Sequence, residues 1–330
     1  MKAQALKLGS RRSPMAIAQS GEVARLITER TGRRVEIAGV TTLGDVSRKQ
    51  LTQIGDTGVF VSALRESLLR QEIDFAIHSL KDLPTGAAPR IVLAAIPSRD
   101  DPRDALVGRD GAKLADLPTG ARIGTGSPRR AAQLAMLRGD ITCVPIRGNA
   151  DTRLAKVRDG QLDAVVLAYA GLARIGRVDL VSEIFEPDDM VPAPGQGALA
   201  VECRAEDGGL TELLAMIDHP ASRAAVTAER SLLAALEAGC SAPVGAYAGF
   251  RQASPDRLQL HGVVIGVAAA TRQPVGPGVT AGSGAMVVRE RGEADAADAA
   301  RLGRELAARM LAAGAADLIG AKTDRDDAHD

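Results

Sequence analysis

One order of local elements occurs twice before residue 170, and this repeat limits the fold more than any other feature of the sequence. "QALKLG" (4–9) reads as a short strand, and the helix after it has Ser13 as N-cap, Pro14 at its first position and Gly32 beyond its end. A strand "VEIAGV" (35–40), a helix "VSALRESLLRQ" (61–71) and a strand "IDFAIHS" (73–79) complete the unit, the last apolar enough to be buried on both faces. From 121 the order returns. "ARIG" is a strand, Ser127 and Pro128 start a helix stopped by Gly139, "ITCVPI" (141–146) is a strand, "DTRLAKVRDG" a helix and "DAVVLA" (163–168) a buried strand.

Two similar α/β lobes with mostly parallel sheets follow from that repeat. The stretch "IPSRDDPRDAL" (96–106) links them, and "MVPAPGQGALAVECR" (190–204) ends in an apolar strand that can return to the first lobe. Two crossings make a hinge and a cleft, with ligand sites expected at the carboxyl ends of strands. The expected lobes are 1–97 with 198–216, and 103–191. Residues 219–320 read as a smaller α+β domain with a long helix, three strands and a final helix; 271–284 form a flexible turn and 321–330 a disordered tail.

Composition narrows the function. The chain has no Trp, four Phe and two Tyr, so its core must be aliphatic, and 41 basic residues balance 41 acidic ones. A zero net charge argues against a global field holding nucleic acid or membrane, so anion recognition has to be local. "MKAQALKLGSRRS" lacks the apolar run of an export signal and "GVVIGVAAA" (262–270) is too short to span a bilayer, which predicts a soluble cytosolic protein. Cys143, Cys203 and Cys240 are widely spaced, and with four His they support neither a disulfide framework nor a zinc site.

The chemistry lies at strand ends and helix starts. Helix N-termini attract anions, and both Ser-Pro starts have arginines beside them: Arg11 and Arg12 before the first, Arg129 and Arg130 in the first turn of the second. A cation there opposes the helix dipole, and the same arrangement in both lobes argues for a purpose beyond a solvated helix end. Arg147, Arg153 and Arg174 occupy further positions where the repeat predicts the cleft. Guanidinium groups in such numbers suit a small polyanion gripped bidentately, against the alternative of pairing with local acids. Lys81 and Asp82 follow the buried strand of the first lobe, where a carboxylate among cations can steady positive charge and move a proton. His78, within that strand, reads as a satisfied core histidine. "GTGSPRR" and "GQGALA" match no phosphate-binding loop. From these residues alone the chain is an anion-binding α/β enzyme with a reactive thiol at Cys240, a two-lobed solute-binding protein, or a transferase with Cys240 as transient nucleophile.

Eight stretches in unbroken order carry a resemblance: "GSRRSPMAIAQ", "AIHSLKDLPT", "DDPRDAL", "GTGSPRRAAQL", "IRGNADTRLAKV", "AGLARIG", "PAPGQGALAVECR" and "LEAGCSAPVGAYA". Together they resemble the porphobilinogen deaminase (hydroxymethylbilane synthase) family over about residues 6–250. The resemblance implies two periplasmic-binding-protein-like lobes with a hinge and cleft, plus a smaller α+β C-terminal domain. It implies that four porphobilinogen molecules are condensed head to tail with loss of ammonia and released as hydroxymethylbilane. The primer would be a dipyrromethane joined by a thioether to Cys240. Asp82 matches the catalytic aspartate, placed to stabilise a cationic azafulvene-like intermediate. Lys81, Asp82, Ser79, Thr125, Ser127, Arg129, Arg130, Arg147 and Gly148 match cofactor contacts; Arg11, Ser13, Gln19, Arg147, Arg153 and Arg174 match substrate contacts. It further implies a cytoplasmic monomer with no metal that hands its product to uroporphyrinogen-III synthase. Two departures stand out. "QIGDTGVF" has Asp56 and Thr57 where the family has a Gly-Lys pair, which removes a lysine over the cleft, and Gly126 replaces a serine hydroxyl in "TGS".

Overall fold

The computed structural model describes residues 4–40, 56–238, 242–251, 254–266 and 286–320, with the side chains of 56–60, 251, 254 and 255 outside that description. Cys240, Gly239, the turn at 271–284 and the tail at 321–330 therefore lie outside the described residues. The first lobe contains β1 (Leu6–Ser10), α1 (Pro14–Thr31), β2 (Val35–Gly39), α2 (Asp56–Leu69), β3 (Phe75–Ser79) and β4 (Ile91–Ala95). The second contains β5 (Asp104–Gly108), β6 (Arg122–Gly124), α3 (Pro128–Leu137), β7 (Thr142–Val144), α4 (Ala150–Arg158), β8 (Ala164–Ala168), α5 (Tyr169–Arg174) and β9 (Glu183–Ile184). After β10 (Leu199–Arg204) and α6 (Gly208–Ala215) come α7 (Pro220–Ala235), β11 (Val244–Arg251), β12 (Ser254–Ile265), β13 (Val287–Asp295), α8 (Ala299–Ala312) and α9 (Ala315–Gly320).

The helix starts behave as their sequence predicts. Ser13 is extended and its Oγ accepts the Ala16 N–H at 3.2 Å, Pro14 follows, and Gly32 closes α1 in the left-handed conformation with φ 69°. Ser127 caps α3 in the same way. Its stop differs from expectation, because Arg138 closes it in an extended conformation (φ −151°) and not Gly139 in a left-handed one. An extended cap leads straight toward β7, the next strand.

The sheets are mixed, which corrects the expectation of mostly parallel pairing. Their orders are β2-β1-β3-β10-β4 and β7-β6-β8-β5-β9. In the first, β2, β1 and β3 are parallel while β10 runs antiparallel to β3 and β4. In the second, β7, β6 and β8 are parallel while β5 runs antiparallel to β8 and β9. The helical crossovers dictate parallel pairing only for the three strands they connect. The fourth strand of each sheet arrives through a linker between units, free of that constraint, and β10 does return to the first sheet.

By its contacts the chain divides into Met1–Asp100 with Gly197–Arg223, and Asp101–Gln196 with Ala224–Asp330. In the first unit Leu8, Phe75 and Val201 pack against Val23 and Ile27 of α1 on one face of the sheet. Ala76 and Ile73 pack with Leu64 and Leu68 of α2 in a separate cluster, so β3 is covered on both faces as its apolar run demands. In the second unit Leu106 and Val166 face one core and Val107 and Val165 the other, the alternation a strand imposes. The antiparallel sheet β11-β12-β13 buries Leu258 and Leu260 against Leu232 of α7 and Leu306 and Met310 of α8. Within this unit Val263 and Ile265 of β12 also pack on Ala132 and Val191.

Helix α7 leads to the Cys240 segment and closes at Glu237 and Ala238. The Ala238 N–H reaches back to the Leu233 carbonyl and the Glu237 N–H to the Ala234 carbonyl, and Glu237 takes the left-handed conformation at φ 51°. This bond pair is the Schellman closure with a glutamate where glycine is favoured.

Candidate functional site

Parallel neighbours open their carboxyl ends on the same edge of a sheet, so β1 and β3 deliver their following residues side by side in the first lobe. Arg11 and Ser13 follow β1, while Ser79 ends β3 and Lys81 and Asp82 lie in the tight turn Leu80–Asp82 after it. The turn is anchored: the Leu80 N–H donates to the Ala198 carbonyl and the Leu83 N–H to the Leu80 carbonyl, each at 3.0 Å. Buried Gln19 donates from α1 to Ser79 Oγ at 2.9 Å, which fastens the helix to the end of β3. Asp82 itself is half-buried. One position before Ser79, His78 is buried in the core with Nε2 3.2 Å from a Glu202 carboxylate oxygen but without a hydrogen bond of proper geometry, so it is a core histidine that is not fully satisfied.

Glu202 of β10 is held by a forked pair of bonds from Arg65, at 3.0 and 2.7 Å. Burial alone would raise its pKa, but His78 close by and the bonds from Arg65 outweigh that and bring it down to about 2.

The second lobe repeats the edge with more cations. Thr125 follows β6, its buried Oγ1 accepting the Ser127 N–H at 3.2 Å, and Ser127 Oγ accepts the Arg130 N–H at 3.4 Å. A Cβ added at Gly126 would stand 2.7 Å from the Ile146 carbonyl oxygen, so the backbone of the next loop occupies the place of the absent serine side chain. Arg129 donates to Asp104 Oδ2 and to the Val191 carbonyl, each at 2.7 Å. Arg130 donates through Nε to Asp104 Oδ1 at 2.9 Å and through Nη1 to the Val166 carbonyl at 3.1 Å. Gln196 Nε2 bonds Asp104 Oδ1 at 2.8 Å and the Pro102 carbonyl at 2.7 Å. Asp104 has no exposed surface, and Arg129 and Arg130 have 3% and 6%.

Two guanidinium groups and one carboxylate thus lie out of water with one positive charge in surplus. Burial would raise the Asp104 pKa, yet Arg129 and Arg130 hold the carboxyl well below the usual carboxylate range. Arg129 is itself lowered, by burial first, with Asp104 opposing. The half-buried Arg153 of α4 is lowered by burial and by the charge of Arg130, and its Nε donates to the Gly148 carbonyl at 2.8 Å. Gly148 has φ 104°, and a Cβ there would be 2.9 Å from Thr152 Cγ2, so glycine is what lets the loop after β7 turn onto α4. Arg147 beside it is exposed, and Arg174 is half-buried at the end of α5 after β8.

The structure therefore gathers Arg129, Arg130 and Arg153 electrostatically and sets Arg147 and Arg174 on the same strand ends. Asp104 balances half the charge of Arg129 and Arg130, so the alternative of pairing with acids holds for them in part. Asp104 and Gln196 were missed in the sequence. A signal existed: an aspartate opening the buried strand "DALVG" had to find a cation. Among the described residues no group of His, Cys, Asp and Glu is arranged for a metal, and no helix is long and apolar enough to cross a membrane.

Residues 6–212 match the family model described as "Porphobilinogen deaminase, dipyromethane cofactor binding domain", and 223–273 match its C-terminal domain. The chain is 56% identical over 315 residues to the porphobilinogen deaminase of Thermobifida fusca, covering 95% of both chains. It is 55% identical over 328 residues to porphobilinogen deaminase 1 of Streptomyces coelicolor, covering 97% of this chain and 99% of that one. Among solved structures it is similar to a periplasmic substrate-binding protein of an ABC transporter from Coxiella burnetii, with TM-score 0.41, 15% identity, and coverage of 68% and 96%. A periplasmic binding protein with high arginine specificity from Salmonella typhimurium has TM-score 0.36, 14% identity, and coverage of 64% and 91%. With the family model matched over residues 6–212 and relatives more than half identical over nearly the whole length, the chain belongs to the porphobilinogen deaminase family, hydroxymethylbilane synthases of tetrapyrrole biosynthesis that work with a dipyrromethane cofactor.

Proposed function

We propose that this chain condenses porphobilinogen stepwise, with Asp82 as the group that serves the reacting ring and the strand-end cations as the grip on its carboxylates. The observation that carries the reading is the surplus positive charge around Asp104. A cofactor, a substrate and a growing chain that bear acetate and propionate groups supply the anions such a buried cluster lacks. Arg129, Arg130, Arg147, Gly148, Thr125 and Ser127 of the second lobe would hold the dipyrromethane, with Ser79 and Lys81 from the first. Cys240 would tether it through a thioether, its sulfur replacing the amino group on the aminomethyl carbon of a porphobilinogen unit, so that a C–N bond breaks as the C–S bond forms and the thiol proton leaves with the ammonia. When bound, the dipyrromethane supplies the pyrrole carbon to which each new unit is joined.

Asp82 stands on an anchored turn, which supports its role as a fixed acceptor for pyrrole N–H groups. Its carboxylate would steady the positive charge left on the substrate ring as ammonia departs, then help remove the proton displaced by the new C–C bond. Arg11, Ser13, Gln19, Arg153 and Arg174 would orient substrate. Ser13 and Gln19 do this while already engaged, one as cap and the other on Ser79. The three sheets support a division into lobes 1–97 with 198–216, and 103–191, followed by a domain at 219–320. The reading also makes the chain a cytoplasmic monomer that passes its product to uroporphyrinogen-III synthase.

Intact mass and turnover test it together. The purified protein should exceed its sequence mass by two pyrrole units, an excess absent from Cys240→Ala. Asp82→Ala should keep that excess and lose at least roughly a thousandfold in turnover, the scale expected of a group serving both charge and proton. An unmodified yet active protein would remove Cys240 from the reading, and normal ammonia release by Asp82→Ala would remove Asp82.

A further inference from the structure

A cavity of about 780 Å³ within the second unit lies between the residues around β5 and the C-terminal sheet, away from Arg129 and Arg130, neither of which lines it. Of two Tyr and four Phe in the whole chain, Tyr247 and Phe250 line this space, with Leu260 and His261 beside them. His261 is 7% exposed, and its Nδ1 is buried without a hydrogen-bond partner. A buried polar atom left unpaired costs about 1–3 kcal/mol, so its place on a cavity wall calls for a ligand. Burial and the charges of Arg291 and Arg289 bring the imidazole down to about 4, so it is neutral and keeps one nitrogen as an acceptor.

The charges around it select the ligand. Asp101, Glu186, Asp188 and Glu293 line the cavity against Arg103 and Arg291, four carboxylates to two guanidiniums. Arg103 is spent on Asp101 and Glu186, and Arg291 on Asp188. His261 Nδ1 and Asp188 Oδ1 lie 3.7 Å apart without a hydrogen bond joining them, and in the tautomer protonated at Nε2 both are acceptors that one cationic N–H group can serve. The polycarboxylates of the enzyme's own reaction would meet a negative surplus here, so the cavity is no second substrate site. We propose that it is a binding site for a planar aromatic monocation, whose ring lies against Tyr247 and Phe250 and whose N–H group donates to His261 Nδ1 and Asp188.

The test is a fluorescence titration of the purified enzyme with 9-aminoacridine, a planar monocation, and with acridine-9-carboxylate, the same ring as an anion. The absence of Trp leaves the probe window clear. One saturable class of 9-aminoacridine site is expected, weakened at least about tenfold in His261→Phe through loss of its acceptor. Asp188→Asn, at a position 74% exposed and so harmless to the fold, should weaken it about threefold, and raised salt should weaken it further. Circular dichroism checks that the His261 variant is folded, and if it is not, the Asp188 variant decides. No saturable cation binding, cation binding unchanged in the folded variants, or equal His261-dependent binding of the anion would each overturn the proposal.

Discussion

The two lobes place a buried carboxylate on the same strand of the same sheet order, but at opposite ends. Glu202 on β10 lies opposite Ala76, the second residue of β3, while Asp104 on β5 lies opposite Ala168, the last residue of β8. Glu202 is therefore remote from the edge where the parallel strands end, and Asp104 stands at it. Their partners follow the same division. Glu202 faces one guanidinium and one histidine, and Asp104 faces two guanidiniums that belong to the first turn of α3. One pairing is closed on itself, whereas the other leaves one positive charge over, which in the proposed reading an anion meets. A strand repeated in two lobes has thus been given two tasks by moving an acid along its length.

Removing Asp104 should break this comparison most strongly. Asp104→Asn leaves two buried guanidiniums sharing neutral acceptors and is expected to cost about 3–5 kcal/mol in urea denaturation, the range for stripping one member from a buried ion pair. The folded fraction should also carry less dipyrromethane by intact mass, because Arg129 and Arg130 lose their fixed orientation. Glu202→Gln keeps the shape and one acceptor, so a smaller loss of about 1–3 kcal/mol is expected, with unchanged cofactor content per folded molecule. Equal cofactor loss in both variants would erase the distinction between the lobes.

Acid should act on the same pair. The Glu202 pKa falls from an ordinary 4.5 to about 2 on folding, so its contribution is complete above 4.5 and is lost as pH drops from there toward 2. Asp104, also lowered, adds a loss of the same sign. The denaturation midpoint should decline across that window, less steeply in Glu202→Gln. The smallest effect concerns the turn leading to Cys240: Glu237→Gly should raise stability by about 0.5–1 kcal/mol, since glycine takes the left-handed conformation without the side-chain penalty. A destabilised variant would mean that the Glu237 side chain does more than tolerate its backbone.

Much of the architecture was legible in the residues. Ser13-Pro14 and Ser127-Pro128 marked the helix starts, because a cap and a proline act within one turn. The strand "FAIHS" was recognised as doubly buried from its unbroken apolar run. The direction of β5 and β10 was not legible, since strand polarity depends on where a linker brings the chain and leaves no local pattern. Likewise Arg129 and Arg130 were singled out as candidate site residues by their helix position, while their partners Asp104 and Gln196 had to be found in space. Twenty-five residues separate Asp104 from Arg129 and 92 separate it from Gln196, beyond the reach of any helix or strand period.

What the sequence determined by itself was the set of short-range choices: which segments become helix or strand, where they begin, and which residues follow each strand. Those choices put Asp82 and the arginines at strand ends before any packing is considered. Only the tertiary structure decided which charges cancel and which remain. Burial makes every unpaired charge costly, so the balance at Asp104, Glu202 and His261 depends on neighbours brought together from distant parts of the chain.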